Sequence, residues 1–374
     1  MRIAFDAKRI FHNFTGLGNY SRTLVRELAI QMPELTACLF SPSASRHEEV
    51  LEFFNDPSYE IITPSSWRKP LWRSRGMVAD IRRLKPVLYH GLSNELPFGI
   101  SRSGLPAVVT IHDLIFKKFP EQYGKWDRSV YDRKFKYACE SATRIVAISE
   151  ATKSEIVHYY GIEPEKIEVI YQACDDRFLV SVDELRLAQV GRQLNLPEQY
   201  SLYLGSLIAR KNLLGIIEAM ASLPAELRHP LVVVGRGEAY KKRCIDQAKR
   251  LGVDGLLLFR SVNNEHLPAL YQGARCFLYP SLAEGFGIPV IESLNSGTPV
   301  LTSNISSLPE AAGPDSMLVD PSDPGEIADG WAKLLEDDVL CADMAKAGIQ
   351  YAARFRSDVV VPEMIELYSN WTVS

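Results

Sequence analysis

The 374-residue sequence lacks any apolar run long enough to cross a bilayer; its longest, such as residues 231–235 and 256–259, have strand length. It also lacks an export signal, because Met1-Arg2-Ile3-Ala4-Phe5 enters a strand pattern directly, so a cytoplasmic chain is expected. Cysteine is sparse and scattered. Cys38, Cys139, Cys174, Cys244, Cys276 and Cys341 show neither metal-ligand spacing nor a disulfide framework, and are expected as free, mostly buried thiols of a reducing compartment. No short repeat or low-complexity tract is present. Net charge is only −4, so nucleic acid is not an expected partner. The halves differ, however: residues 1–178 carry 25 basic and 22 acidic residues, and the remainder 17 and 24, which predicts different partners for each.

What is present is an alternation of short β-branched runs with helix-length amphipathic segments, the pattern of a parallel sheet under covering helices. In the first half it predicts strands at 3–5, 37–40, 87–89, 107–111 and 145–148, with helices at 19–30, 72–84, 126–139 and 150–159. The alternation restarts in the second half, with strands at 201–204, 231–234, 256–259, 276–279 and 299–302 and helices at 213–221, 240–251, 266–273 and 289–296. Between them, residues 175–197 form a polar stretch with a short helical pattern, read as the interdomain crossing. The fold class is therefore α/β, with two successive Rossmann-like domains and a ligand cleft expected where the sheet ends meet.

Four loops carry candidate chemistry. A strand ending in Gly205 is followed by Arg210-Lys211-Asn212 and a helix; helix amides and two adjacent cations make a diphosphate clamp, although an ordinary strand–turn–helix with solvated cations has the same spacing. In Glu284-Gly285-Phe286-Gly287-Ile288-Pro289-Val290-Ile291-Glu292, two carboxylates flank a helix start at which Pro289 is suited to sit. Glu284 is placed to reach sugar hydroxyls and Glu292 a ribose diol, and the glycines let backbone amides approach a ligand; alternatively the acids favour the helix dipole. Thr15-Gly16-Leu17-Gly18-Asn19-Tyr20 follows the first strand and can present amides to a phosphate or an acceptor. His112-Asp113 ends an apolar strand, where Asp113 is placed to fix the tautomer of a functional or a structural histidine.

Taken together, these loops resemble those of the retaining glycosyltransferases of family 4, which have the GT-B fold of two facing Rossmann-like domains. The likeness runs over nearly the whole chain. Its most specific part is the Glu284/Glu292 pair with its continuation Ser293-Leu294-Asn295-Ser296-Gly297-Thr298-Pro299-Val300. The resemblance implies that Arg210 and Lys211 neutralise the donor diphosphate and Glu292 binds ribose. Glu284, with the amides of Phe286, Gly287 and Ile288, would hold the donor sugar; His112 would contact that sugar, and the Gly16–Gly18 loop and Gly205 complete the donor site. It further implies retention of anomeric configuration, with the leaving phosphate oxygen accepting the acceptor's proton. An Asp-x-Asp metal signal is missing from the corresponding place, so no metal and no other cofactor is expected. Ser293-Leu294-Asn295-Ser296 departs from the family's small apolar residues. Tyr171-Gln172-Ala173-Cys174-Asp175 stands where Asn-Gly-Val is usual and is similar to mannosyltransferase-like members, which points to a GDP-mannose-type donor, with a UDP-sugar next.

The expected acceptor is a glycan or a lipid-linked saccharide. Residues 67–75 (Trp67-Arg68-Lys69-Pro70-Leu71-Trp72-Arg73-Ser74-Arg75), continued by Arg82-Arg83-Leu84-Lys85, interleave two tryptophans with cations; they suit either anionic lipid headgroups at the inner membrane surface or a solvated helix over the first sheet. The final segment, 359–371, has apolar residues at helical spacing and by resemblance returns to the first domain. The expected domains are thus 1–180 plus about 357–374, and 181–356. Rival readings are a sugar-nucleotide epimerase or phosphorylase on the same fold, a non-catalytic nucleotide-sugar sensor, and a nicotinamide-dependent dehydrogenase suggested by Val234-Gly235-Arg236-Gly237, which lacks the third glycine of that motif.

Overall fold

A computed structural model describes residues 1–65 and 71–372. The chain divides into two compact units, one formed by Met1–Ala173 with the chain end from Ser357, the other by Cys174–Arg356.

The first unit contains strands β1 (Arg2–Asp6), β2 (Thr36–Phe40), β3 (Tyr59–Ile62), β4 (Leu88–Gly91), β5 (Ala107–Ile111), β6 (Arg144–Ala147) and β7 (Ile167–Val169). They form one seven-stranded parallel sheet in the order β3-β2-β1-β4-β5-β6-β7. Successive side chains point to opposite faces. Ile3 and Phe5 therefore pack on one side with Leu24, Leu28 and Leu39, while Ala4 packs on the other with Trp72, Ile81 and Tyr89. Both faces are covered, which is why the central strands read as unbroken apolar runs. The closing helix, Ser357–Thr372, puts Val360, Val361, Met364, Leu367 and Tyr368 into the core that holds Ile3 and Phe5.

In the second unit, β8 (Ser201–Leu204), β9 (Leu231–Val234), β10 (Leu257–Arg260), β11 (Cys276–Tyr279), β12 (Val300–Ser303) and β13 (Met317–Val319) form a six-stranded parallel sheet in the order β10-β9-β8-β11-β12-β13. Its core includes Tyr203, Ile216, Leu231, Val233, Leu278, Leu301 and Trp331, whose indole N–H donates to Ser201 Oγ at 2.9 Å.

Several details depart from the sequence expectations. β3, β7 and β13 were not expected; each lies at a sheet edge, and with three or four residues, mostly half-buried, none carries a continuous apolar signal. Helices at Pro324–Glu336 and Asp338–Ala352 were also not among those expected. The chain leaves the first unit at 173/174 rather than at 180/181. Cys174 N–H donates to Phe355 O at 2.9 Å and Phe178 packs edge-on against Tyr271, which ties 174–180 to the second unit.

Of the segment expected to meet a membrane, Trp67, Arg68, Lys69 and Pro70 lie outside the described residues. The expected helix 72–84 opens with a π-helical turn, Trp72–Gly76, before a helix at Met77–Leu84. That turn points Trp72 and Arg73 inward. Trp72 is buried and its indole N–H donates to Asp80 Oδ2 at 2.8 Å, while Arg73 is ion-paired with Asp6 and Glu95, so neither belongs to an exposed basic-aromatic surface. No helix among the described residues is long and apolar enough to cross a membrane. All six cysteines are buried and free of disulfides.

Candidate active site

In the second unit, the loop after β8 ends in a single 3-10 turn, Ala209–Lys211, and Asn212 then takes a left-handed backbone (φ 59°) to open the helix Leu213–Ser222. Glycines in the neighbouring loop make room for it. A Cβ on Gly235 would lie 1.9 Å from Gly205 O, and one on Gly237 would lie 2.2 Å from Leu207 O. The Gly235-Arg236-Gly237 motif that suggested a dinucleotide site thus has a packing cause.

The loop after β11 is stitched to this turn. Leu282 N–H donates to Arg210 O at 2.8 Å, Ser281 Oγ lies 3.1 Å from the same oxygen, and the Arg210 guanidinium donates to Ala283 O. The result brings three expected site residues onto one atom. Glu284 Oε1 lies 3.1 Å from Arg210 Nη1 and 2.5 Å from Lys211 Nζ, and accepts hydrogen bonds from Ser281 Oγ at 2.7 Å and Tyr279 Oη at 3.2 Å. Lys211 also donates to the Tyr279 hydroxyl and sits 4.8 Å over its ring. Burial alone would raise the Glu284 pKa, but the charges of Lys211 and Arg210 and the hydrogen bonds from Lys211 and Ser281 hold it below the ordinary value. Glu284 is therefore ionised at neutral pH, and the three groups together carry one net positive charge.

Beyond it the chain turns into the helix Ile288–Asn295. Gly287 has φ 129°, a backbone that favours glycine, and a Cβ there would approach Leu308 Cδ2 to 3.0 Å. Phe286, Gly287 and Ile288 lead into the first turn, where amides have no intrahelical acceptor. Glu292 sits one turn further in, and Tyr271 Oη donates to its Oε2 at 3.0 Å. Its pKa is raised to about 7, chiefly by burial, with the Tyr271 hydrogen bond opposing and Asp175 adding to the rise.

The first unit places its expected residues differently. Gly16 and Gly18 do not form a loop ahead of a helix; they begin the helix itself, Gly16–Gln31, because Thr15 O and Asn13 Oδ1 accept the Gly18 amide at 2.9 and 3.1 Å and cap the turn. A Cβ on Gly18 would fall 1.6 Å from Asn13 O, so that glycine is a packing requirement, whereas Gly16 has open space where a side chain would stand. His112 follows β5 and is 3% exposed. Its Nε2 lies 2.8 Å from Leu92 O and its Nδ1 accepts from Gln172 Nε2 at 2.9 Å, which fixes the Nε2–H tautomer. Burial lowers its pKa to about 4 against the Leu92 bond, so the ring is neutral at pH 7. Asp113 was expected to set this tautomer; its Oδ1 instead accepts the Ile115 amide at 3.1 Å. Beside His112, a buried chain runs from the Tyr20 hydroxyl through Thr110 Oγ1 (3.0 Å) and His90 Nε2 (2.9 Å) to Tyr368, which meets His90 Nδ1.

Two family descriptions match this chain: "Glycosyl transferases group 1" over residues 189–351 and "Glycosyltransferase Family 4" over residues 14–178. The chain belongs to the family 4 glycosyltransferases. This glycosyltransferase is 29% identical to O-antigen chain mannosyltransferase B of Escherichia coli, over 98% of this chain and 99% of that one. It is 30% identical to the serotype-specific mannosyltransferase WbdA of Escherichia coli over 71% of this chain, but covers only 34% of that longer protein. Among solved structures it is similar to Anabaena HepE in complex with UDP and glucose (TM-score 0.77, 20% identity, 99% and 100% of the two chains). It is likewise similar to WaaG, a glycosyltransferase involved in lipopolysaccharide biosynthesis (TM-score 0.75, 20% identity, 100% of both chains). Those two likenesses establish the GT-B fold.

Tyr279, Ser281, Tyr271, Gln172, Asn94 and His90 did not emerge from the sequence. Tyr279 and Ser281 carried a usable signal, since Tyr279 closes β11 and Ser281 follows it just before the Glu284 loop. Asn94, whose side chain accepts the His112 amide at 2.6 Å, carried none, and the segment of Gln172, although distinctive, gave no sign of its contact with His112.

Proposed function

We propose that this glycosyltransferase is a retaining hexosyltransferase that takes its sugar from a nucleoside-diphosphate donor held by the second unit and passes it to a glycan or lipid-linked acceptor in cell-surface polysaccharide synthesis. The observation that carries the reading is the convergence of Arg210, Lys211 and Glu284, two cations and a carboxylate preassembled on one oxygen. Arg210 and Lys211 take the diphosphate, whose developing charge on departure they stabilise. Glu284 holds those cations in place and, with the amides of Phe286, Gly287 and Ile288, orients the donor sugar. Glu292 binds the ribose diol as a carboxylate. His112, neutral and bonded at both ring nitrogens, positions the sugar rather than shuttling a proton; a hydrogen bond donated to the sugar replaces the one to Leu92 O, and one accepted from it replaces the one from Gln172. The proton of the attacking hydroxyl goes to the leaving phosphate oxygen, and the cations of the clamp take the place of a metal.

The mannosyltransferase names of the relatives favour a GDP-mannose-type donor, with a UDP-sugar next. Thermal-shift screening against GDP, UDP, ADP and their sugar conjugates tests the donor, because a ligand bound only by the native state raises the midpoint. Stabilisation by GDP-mannose above the others is expected. NMR of the product then reads the anomeric configuration, and an inverted product would overturn the retaining mechanism. Full activity that is lost to a chelator and restored by magnesium or manganese would overturn the metal-free clamp.

A further inference from the structure

The chain at the end of β12 carries four hydroxyls in six residues: Thr302, Ser303, Ser306 and Ser307. A solvated loop has that composition, yet Thr302, Ser303 and Ser307 have no exposed surface. All four meet the main chain of the neighbouring segment, the one that carries Glu284. The Thr302 hydroxyl donates to Tyr279 O at 2.8 Å and the Ser303 hydroxyl to Ser281 O at 2.6 Å. Ser306 Oγ makes two bonds to one residue, donating to Glu284 O at 2.8 Å and accepting the Glu284 amide at 3.2 Å. Ser307 Oγ lies 3.0 Å from Glu284 O and 2.8 Å from Phe286 O. A hydroxyl has one proton, and with Glu284 O already served by Ser306, that of Ser307 goes to Phe286 O.

Backbone and position set Ser306 apart. Its φ is 61°, in the left-handed region, where a β-carbon is strained and glycine is not. Glycine would make the same turn and leave the half-buried Glu284 amide and carbonyl to water, so the turn itself does not require a hydroxyl. That hydroxyl straddles the two peptides flanking the Glu284 α-carbon. In the first, it takes the Glu284 N–H while the Arg210 guanidinium donates to Ala283 O at the opposite end. In the second, it holds the Glu284 carbonyl. Peptides are planar, so fixing both planes fixes the direction in which the Glu284 side chain leaves the backbone.

We propose that Ser306 is a positioning residue for glycosyl transfer, its hydroxyl setting where the Glu284 carboxylate meets Arg210, Lys211 and the donor sugar. The role rests on the glycosyl-transfer reading and adds to it a residue that acts through Glu284. Ser307 works in the same sense. Carbonyl and amide of a trans peptide point in opposite directions, so a Phe286 carbonyl turned toward Ser307 turns the Gly287 N–H away from it. That N–H, one of those given to the sugar, has no acceptor among the described residues.

The test compares the full wild-type chain with Ser306→Gly, which suits the left-handed backbone, and Ser306→Ala, which keeps the β-carbon. Release of GDP from GDP-mannose, to methyl α-D-mannopyranoside or to water, reads turnover, with UDP-glucose run in parallel. Both variants are expected to lose about tenfold or more in kcat, the effect of a misplaced sugar-holding group. KM and the calorimetric affinity for free nucleotide should stay within about twofold, because only the transition state loses an interaction. A wild-type rate in Ser306→Gly overturns the proposal, as does a loss of nucleotide affinity that matches the loss of kcat. Glutamate precedes glycine only at 284–285, so carbonyl-13C glutamate with 15N-glycine isolates that peptide in one NMR cross-peak. Its carbonyl shift should move upfield in both variants as the hydrogen bond is lost, and an unmoved shift overturns the proposal. So does exchange of the wild-type Glu284 amide hydrogen at the open-chain rate, which decides the matter even if both variants fail to fold. Wild-type protein that neither binds GDP or UDP nor releases them from the sugar nucleotides overturns the glycosyl-transfer reading, and the role with it. Active wild type with unaltered variants overturns the role alone.

Discussion

The candidate residues of the second unit are charged and share their partners, whereas those of the first are neutral and each has its own. Arg210 and Lys211 converge on one Glu284 oxygen, where a diphosphate can compete with the carboxylate for both cations. His112, His90, Thr110, Tyr20 and Tyr368 are joined by single hydrogen bonds and ring contacts in the core, and burial lowers the His90 pKa to about 3 and that of His112 to about 4. A shared charged cluster can rearrange around a ligand. A buried neutral network gains nothing from rearranging and serves to hold shape. In the proposed reading, the chemistry of transfer accordingly belongs to the second unit's loops, and the first unit contributes rigid positioning.

Glu284→Gln tests that contrast hardest. It keeps the shape of the side chain but raises the net charge of the clamp from one to two. Transfer should fall by about 10²-fold or more as the sugar and the cations lose their orientation, while affinity for the free nucleoside diphosphate should rise by a factor of a few. Calorimetry showing weaker nucleotide binding would mean that Glu284 serves the cations only as a scaffold. Arg210→Ala and Lys211→Ala come next, each expected to weaken nucleoside-diphosphate binding by roughly 1.5–3 kcal/mol, the worth of a charge-assisted hydrogen bond. Unchanged affinity in both variants would remove the diphosphate from this clamp.

Tyr368→Phe probes the other side of the comparison. Removing the hydroxyl leaves His90 Nδ1 buried without that partner, at a cost of about 1–3 kcal/mol, which should lower the denaturant midpoint of the first unit and leave nucleotide affinity unchanged. A parallel loss of nucleotide affinity would break the division between the two regions. The smallest effect expected is a pH dependence. With its pKa raised to about 7 in the folded chain, Glu292 gives up a proton there that an unfolded glutamate has already lost near pH 4.5. Its contribution to stability is therefore complete below pH 4.5 and is lost as the pH rises through 7. If Glu292 binds ribose as proposed, the carboxylate is also the form that accepts its hydroxyls, so nucleotide affinity should strengthen by a few fold between pH 6 and pH 8. Glu292→Gln should flatten both profiles, and an unchanged pH profile in that variant would assign the titration to another group.

The sequence by itself determined the two-sheet architecture and pointed to the second unit's candidate site. Buried parallel strands must be apolar on both faces, and such runs are visible without coordinates, as at 107–111 and 231–234. Arg210-Lys211 and the Glu284–Glu292 loop are likewise local: each is a strand end followed by a helix start, and everything that defines it lies within a dozen residues. Only the tertiary structure decided the rest. It showed that Arg210, Lys211 and Glu284 meet on one oxygen, that Gly18, Gly235 and Gly237 are glycine because other backbone atoms pass where a Cβ would stand, and that Trp72 and Arg73 face inward. It also joined His90 to Tyr368 across 278 residues of chain and brought Gln172 to His112 across 60. Such partners lack a sequence signal for a physical reason: a hydrogen bond requires only that two polar groups arrive within about 3 Å of each other. When the chain between them is long, arrival is set by the packing of the whole sheet and its helices, not by the composition of either segment.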